Sequence, residues 1–454
     1  MPESHKFSTT LGEHTVTIET GKLAGLAGGS VTIQVGDTLL LATATMSREP
    51  RQGIDFFPLS VDYEERLYAA GRIPGSFFRR EGRPSEGAIL TARLIDRPMR
   101  PLFPKDLHND VQIIVTALSV DQVQQPDVLA IVAASAALTI ADIPFGTPGH
   151  DGPVGAVRVG LINGQFVLNP TYPQMADSTL DLRLAGTRDA IVMVESAADE
   201  IPEDVMVQAL EFGHKAIQPL IDLQEQMARE VGKPTREYQR FILDETLIQD
   251  IETRVGTRMV EAMSLSSKPE RSHALETLSA DIRAAYLDSQ NVLPADVKAI
   301  LHDIEKDVVR TRIIRDGVRP DGRGLKDIRP LASEVGLSPR AHGSGLFTRG
   351  ETQVLTLATL GTPREAQELD TLSPEDEKRY MHHYNFPPFS VGETRPLRGS
   401  SRREIGHGAL AERALILDQA HGDAGHGGLD GHARIHQRQG GAAHRGHRGG
   451  AIRR

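Results

Sequence analysis

Two stretches of the sequence combine cations, aromatic rings and glycine in ways that suit contact with a polyanion. The first is Gly75-Ser-Phe-Phe-Arg-Arg-Glu-Gly-Arg83, in which Phe77, Phe78, Arg79 and Arg80 are adjacent. Phenyl faces stack on bases whatever their sequence, and guanidinium forks neutralise phosphates, so the segment reads as a mobile loop for single-stranded nucleic acid. Each stacked base contributes roughly 1–3 kcal/mol. The same residues also read as a core phenylalanine pair followed by surface arginines. The second stretch is Ser400-Ser-Arg-Arg-Glu-Ile-Gly-His-Gly408. Arg402 and Arg403 with His407 could hold a phosphodiester and inorganic phosphate together, because bidentate Arg contacts fix geometry and offset the repulsion between two anions. The competing reading is an arginine pair that caps the following helix from its solvent side, beside a structural histidine.

Composition narrows the partners. The chain carries 51 Lys and Arg against 61 Asp and Glu, a net charge of −10, so any polyanion site has to come from local charge. One window supplies it: Arg79, Arg80, Arg83, Arg93, Arg97 and Arg100 face only Glu81, Glu86 and Asp96. A solvated face with internal ion pairs explains the same window. There is no Cys, which excludes disulfides and thiolate chemistry. Phosphate-loop, dinucleotide and nucleophile-elbow motifs are absent. No signal pattern opens the chain, and Val128 to Ile140 is too short for a membrane span and reads as a buried helix, so a cytoplasmic protein with no membrane partner is expected.

The elements that must hold these stretches repeat. Val31–Val35 and Thr38–Thr45 around Gly36-Asp37 predict a hairpin, and Asp110–Leu118 another strand. More strands are expected near 156–161, 165–168 and 179–194. A long helix from Glu203 to Val231 should kink at Pro219. From 235 to 315 strand signals vanish, and apolar residues recur at three- and four-residue steps. Strand signals resume after Arg319-Pro-Asp-Gly-Arg323. Gly343-Ser344 and Gly350-Glu-Thr352 echo Gly29-Ser30 and Gly36-Asp-Thr38 at a constant offset; Phe386-Pro-Pro-Phe-Ser-Val391 echoes Phe56-Phe-Pro-Leu-Ser-Val61, and Arg402-Arg-Glu404 echoes Arg79-Arg-Glu81. Three echoes in one order argue for duplication.

From Ile416 onward only eight residue types occur, and six of the 17 histidines lie there. Metal binding by a His-rich tract, native disorder and a coding sequence read out of frame all fit; the abrupt change inside the helix signal Ala409–Leu415 favours the last.

Phe77-Phe-Arg-Arg-Glu-Gly-Arg-Pro-Ser85, Thr91-Ala-Arg-Leu-Ile-Asp-Arg-Pro98, His383-Tyr-Asn-Phe-Pro-Pro388 and Arg402–Gly408 resemble the bacterial polynucleotide phosphorylase family, from about residue 6 to Leu415. The resemblance implies an α/β (α+β) protein: a first ribonuclease PH-like domain (1–234), an all-helical linker domain (235–315) and a second, incomplete ribonuclease PH-like domain (316–415), followed by the aberrant tail (416–454). It implies a homotrimer, 3′→5′ degradation of single-stranded RNA with inorganic phosphate as co-substrate, Mg²⁺ as assisting metal and membership of an RNA-degradation complex. Phe77 and Phe78 are implied as stackers, Arg79 and Arg80 as RNA-backbone contacts, and Arg402, Arg403 and His407 as active-site contacts.

The sequence departs from the family at about Ile416, beyond which a Ser-rich turn and two Asp with a Lys are expected to hold phosphate and metal. The first copy does not replace them: Pro126-Asp127 stands where Ser is needed, Asp181 and Arg183 take the places of one Asp and the Lys, and Met175 that of the other Asp. A catalytically inactive RNA-binding or assembly scaffold is therefore the alternative expectation.

Overall fold

The computed structural model describes residues 3–51, 54, 56–146, 152–287, 292–422 and 432–440, with side chains up to Ile416. In the first copy β1 (His5–Leu11), β2 (His14–Thr20), β3 (Gly29–Val35) and β4 (Thr38–Pro50) form a meander. β5 (Leu59–Glu64) leads through a 3-10 turn, closed by the left-handed Gly71, into the Phe77–Arg80 loop and α1 (Glu86–Met99). β6 (Asn109–Ser119) inserts antiparallel to β4 and parallel to β5, giving the order β1-β2-β3-β4-β6-β5. Alternation of apolar and polar residues in β3 and β4 turns Val31, Ile33, Leu40, Ala42 and Ala44 to one buried face.

That face is covered by α2 (Pro126–Thr139), whose residues from Val128 to Leu138 are all buried. A helix apolar all round has to lie inside, and its alanines let it approach closely. Gly29 belongs to this contact, since a Cβ there would overlap the Ala137 carbonyl. On the far side of α2 lies a second sheet of order β10-β9-β7-β8, from β7 (Gly155–Ile162), β8 (Gln165–Leu168), a single turn α3 (Tyr172–Met175), β9 (Ser178–Gly186) and β10 (Ile191–Ala198). The expected long helix is two: α4 (Glu203–Ala216) ends at Ile217 and α5 (Gln218–Val231) starts with Pro219 in its first turn. Proline has no N–H to bond back into α4, so the chain restarts there.

The linker is helical throughout: α6 (Glu245–Val255), α7 (Arg258–Ser264), α8 (Lys268–Ala284) and α9 (Pro294–Asp316). They close on their own core of Ile251, Val255, Met259, Leu278, Ile282, Val297 and Ile300. Left-handed Gly317 stops α9.

The second copy has β11 (Leu331–Val335), β12 (Gly343–Arg349), β13 (Thr352–Gly361), a small hairpin of β14 (Gln367–Glu368) and β15 (Glu377–Lys378), β16 (Met381–Asn385), α10 (Arg402–Gly422) and β17 (His432–Gly440). Its sheet runs β11-β12-β13-β17-β16, with β16 and β17 parallel, so it matches β2-β3-β4-β6-β5 of the first copy. No counterpart of α2 or of the β7–β10 sheet occurs among its described residues, so the second copy is incomplete there.

Two echoes need correction. The Gly343 to Thr359 echo occupies equivalent strands. Phe386–Val391, however, follows β16 and forms a 3-10 turn, whereas Phe56–Val61 leads into β5. Likewise Arg79-Arg-Glu81 lies in a loop before α1, whereas Arg402-Arg-Glu404 is the first turn of α10. The structural equivalents are the left-handed glycines Gly71 and Gly392, the helix caps Ser85 and Ser401, and the pairs Asp96-Arg97 and Glu412-Arg413. The likeness came from residue types that recur, and the fold aligns them by capping and turn geometry instead. The tail also differs from expectation: α10 continues past Leu415, and the backbone of 432–440 pairs with both β13 and β16. Each of those strands offers a row of backbone donors and acceptors to any chain that reaches it. Residues 423–431 and 441–454 lie outside the described residues, as do Met1 and Pro2.

Candidate nucleic-acid and phosphate interface

α1 and α10 pack against each other, and the second stretch lies where they meet. Ser401 and Glu404 start α10 reciprocally: the Ser401 N–H donates to Glu404 Oε2 at 2.7 Å and the Glu404 N–H to Ser401 Oγ at 3.3 Å. Glu404 also accepts from the Phe386 N–H at 2.7 Å, which ties the helix to the end of β16. Burial pushes the Glu404 carboxyl up, but these N–H donors outweigh it and hold it below the ordinary range. The cap is therefore the glutamate, and the arginine pair is left for other contacts.

Arg402 turns toward the first copy, where its guanidinium donates to the Val61 carbonyl and the Asp62 carboxylate. Arg403 and His407, one helical turn apart, share the other side. His407 stacks on Tyr384 of β16, centroids 5.2 Å apart and 20° between planes. Glycine on both sides of His407 permits this. A Cβ on Gly408 would sit 3.2 Å from the His382 carbonyl oxygen, and one on Gly406 would overlap the Arg93 guanidinium.

Arg93, from α1 of the first copy, is thus part of the site. Among the described residues neither Arg93 nor Arg403 forms an ion pair; the acids nearest Arg93, Asp96 and Glu195, pair with other arginines. Burial lowers the His407 pKa, and the positive charges of Arg403 and Arg93 lower it further. Burial and the neighbouring Arg97 and Arg403 lower that of Arg93, against Asp96 and Glu195. Two guanidiniums that form no ion pair among the described residues, beside an imidazole whose pKa is lowered, make a site suited to a negative group.

The first stretch lies on an exposed loop. Phe77 and Phe78 are 93% and 86% exposed, edge to face at 5.4 Å; the core reading of this pair does not hold. Arg79 takes a left-handed backbone (φ 51°), and the loop closes on itself through Ser76 Oγ to the Arg80 carbonyl at 2.9 Å. At its far end Glu81 accepts from the Leu67 N–H at 3.0 Å. The rest of the arginine window is divided. Arg100 folds back on Asp96 at 2.6 Å and Arg97 reaches Glu195 at 2.8 Å, so these two are internal ion pairs.

The corresponding place in the first copy is filled by its own charges. Arg158, 4% exposed, bonds Asp127 at 2.5 Å and Asp181 at 2.6 Å; Arg183 bonds Asp181 and Glu195, both at 3.1 Å. Burial pushes Asp127 up, but Arg158 and Arg183 outweigh it and its carboxyl stays below the ordinary range. A carboxylate at the start of α2, held by two guanidiniums, leaves no place for phosphate. These carboxylates do not fit a divalent cation either, because arginines already take their oxygens. Around α10, Glu404 is bound by N–H groups and Glu412 by Lys378 at 2.8 Å, while Asp62 of the first copy is bound by Arg402. The described residues therefore do not fit Mg²⁺, and no group of three or more potential ligands occurs among them.

Sequence reasoning placed Arg93 in a charged window without assigning it, and it missed Tyr384, Glu195 and Asp62. Gly406 was the available signal: a glycine inside a helix marks a close approach.

Comparison with known proteins fits this duplication. The 3′ exoribonuclease family, domain 1, matches the chain twice, at residues 13–144 and 327–417, and domain 2 of that family matches residues 152–216. The linker, residues 246–324, matches the RNA binding domain of polyribonucleotide nucleotidyltransferase. The chain belongs to the polyribonucleotide nucleotidyltransferase family. Polyribonucleotide nucleotidyltransferases of Heliobacterium modesticaldum and Roseiflexus castenholzii are 52% and 53% identical to it over 410 and 417 residues, 90% and 91% of this chain. That of Halalkalibacterium halodurans is 51% identical over 413 residues. The chain spans 57%, 55% and 58% of the length of these three relatives. It is thus a member of an enzyme family, matched over both copies and the linker. Among the described residues no helix is long and apolar enough to cross a membrane.

Proposed function

We propose that this chain engages single-stranded RNA for 3′→5′ phosphorolysis, in which inorganic phosphate takes the terminal nucleotide as a nucleoside diphosphate. The observation that carries this reading is the meeting of Arg93 and Arg403, neither in an ion pair among the described residues, at His407. A phosphodiester supplies the missing negative charge, and Arg forks orient it. Phe77 and Phe78 stack bases on the way in, with Arg79 and Arg80 on the backbone. Arg402 acts mainly through Asp62, fixing α10 against the first copy. Mg²⁺ and phosphate follow from the family, as do a ring-shaped homotrimer, an RNA-degradation complex and a cytoplasmic setting.

The hold of arginines on Asp127 and Asp181 and of N–H groups on Glu404 favours a second reading, an RNA-binding scaffold without turnover. Incubation with poly(A), inorganic phosphate and Mg²⁺ separates the two. ADP release that disappears in Arg403→Ala supports phosphorolysis. Salt-sensitive RNA binding with no ADP supports the scaffold, and neither binding nor ADP contradicts both.

A further inference from the structure

The second copy reaches into the first through the β14–β15 hairpin, and the contact falls at the base of the aromatic–arginine loop. The Leu369 N–H donates to the Asp376 carbonyl at 2.8 Å and closes residues 369–376 into a short tongue. Leu372 at its tip is 2% exposed and packs in the first copy's hydrophobic core. Beside it the Arg72 guanidinium donates to the Thr371 carbonyl, and Asp370 Oδ2 accepts from the Gly75 N–H at 2.7 Å. A Cβ on Gly75 would stand 3.1 Å from that same oxygen, so a side chain there would crowd the contact. The loop beyond is a small closed unit, with the Arg79 N–H on the Ser76 carbonyl at 2.9 Å and Ser76 Oγ on the Arg80 carbonyl. Glu81 holds the far end, and Asp370 holds the near one.

We infer that Asp370 is a positioning residue: from the second copy it fixes the pose of the Phe77–Arg80 loop. A carboxylate accepting from a backbone N–H is a charge-assisted bond, stronger than a neutral one. Leu372 sets where the tongue docks, and Asp370 turns that docking into a defined loop base. The two candidate RNA contacts are thus coupled, since the copy that carries Arg403 and His407 also aims the stacking rings. The role in RNA binding rests on the function proposed above; the positioning of the loop does not.

The test uses the full chain as wild type, Asp370→Ala and Asp370→Asn, with two readouts. Tryptic cleavage after Arg79 or Arg80 reports loop mobility without RNA. Anisotropy of a labelled oligoadenylate reports affinity. Asp370→Ala should speed cleavage and weaken affinity by about tenfold each, the size expected for one charge-assisted bond. Asp370→Asn, which keeps an acceptor oxygen, should fall between it and wild type. Thermal midpoints should stay together, because the Asp370 side chain lies outside the core; if the alanine variant does not fold, the asparagine variant decides. Cleavage and affinity within twofold of wild type in the folded variants would overturn the inference. Faster cleavage in a protein whose wild type binds no RNA would uphold the positioning role and remove the proposed function.

Discussion

Arg413 of α10 and Arg97 of α1, at equivalent positions in the two copies, bind the same carboxylate: Glu195 lies 2.6 Å from Arg413 and 2.8 Å from Arg97. Glu195 also receives Arg183 and so joins the buried charges of the first copy to the helix that carries Arg403 and His407. Burial pushes its carboxyl up, but Arg413, Arg183 and Arg97 outweigh that and hold it below the ordinary range.

Glu195→Gln removes the charge that three guanidiniums share. It should cost roughly 1.5–3 kcal/mol, the worth of hydrogen bonds to a charged group, read as a lower midpoint in urea unfolding. The pH dependence has a definite sign. Because the folded carboxyl titrates below its unfolded value, the unfolded chain binds more protons in that window. The stabilisation is present above the ordinary carboxylate pKa and is lost as pH falls through the depressed folded value. Urea midpoints between pH 3 and 7 should fall less steeply for Glu195→Gln than for wild type.

Arg158→Ala should be worse. It leaves Asp127 and Asp181 short of a partner at a site where Arg158 is 4% exposed. Breaking a buried pair from one side costs about 3–5 kcal/mol. Calorimetry should show a large drop in the thermal midpoint, while Arg158→Ala with Asp127→Ala should recover part of it, since the unpaired carboxylate is then gone.

His407 reports on the cations beside it. Its pKa is lowered by burial and by Arg403 and Arg93, so Arg93→Ala or Arg403→Ala should raise it toward the ordinary histidine value. Bound oligonucleotide should raise it too, because a phosphodiester neutralises the same cations and favours imidazolium. Ring-proton shifts followed by NMR from pH 5 to 8 measure both effects. By linkage, RNA should then bind more tightly as pH falls through this range, and His407→Ala should lose that trend.

Much of the scaffold was legible because its signals are local. The β3–β4 hairpin follows from β-branched runs around Gly36-Asp37, α2 from an unbroken apolar run, and the α4–α5 break from Pro219. The pairing of α1 with α10 was not legible, since repeated arginine pairs look alike until caps and turns order them. The Glu195 node was hidden for another reason: its partners Arg97 and Arg413 are 98 and 218 residues away. No local pattern encodes such a contact. The candidate site was half legible. His407 and Arg403 stand in a motif, whereas Arg93 enters from a different copy through the space that Gly406 leaves.

If the proposed function holds, one RNA strand uses both the exposed loop and the α1–α10 site. Oligoadenylate affinity against salt concentration tests this with four proteins: wild type, Phe77→Ala with Phe78→Ala, Arg93→Ala with Arg403→Ala, and all four substitutions together. The loop pair should lose roughly 1–3 kcal/mol per base unstacked, with the salt slope unchanged. The arginine pair should flatten the slope by about 0.7 for each phosphate contact removed. The quadruple variant should show both losses. Loop and arginine variants that bind as wild type, with the same salt slope, would contradict the account.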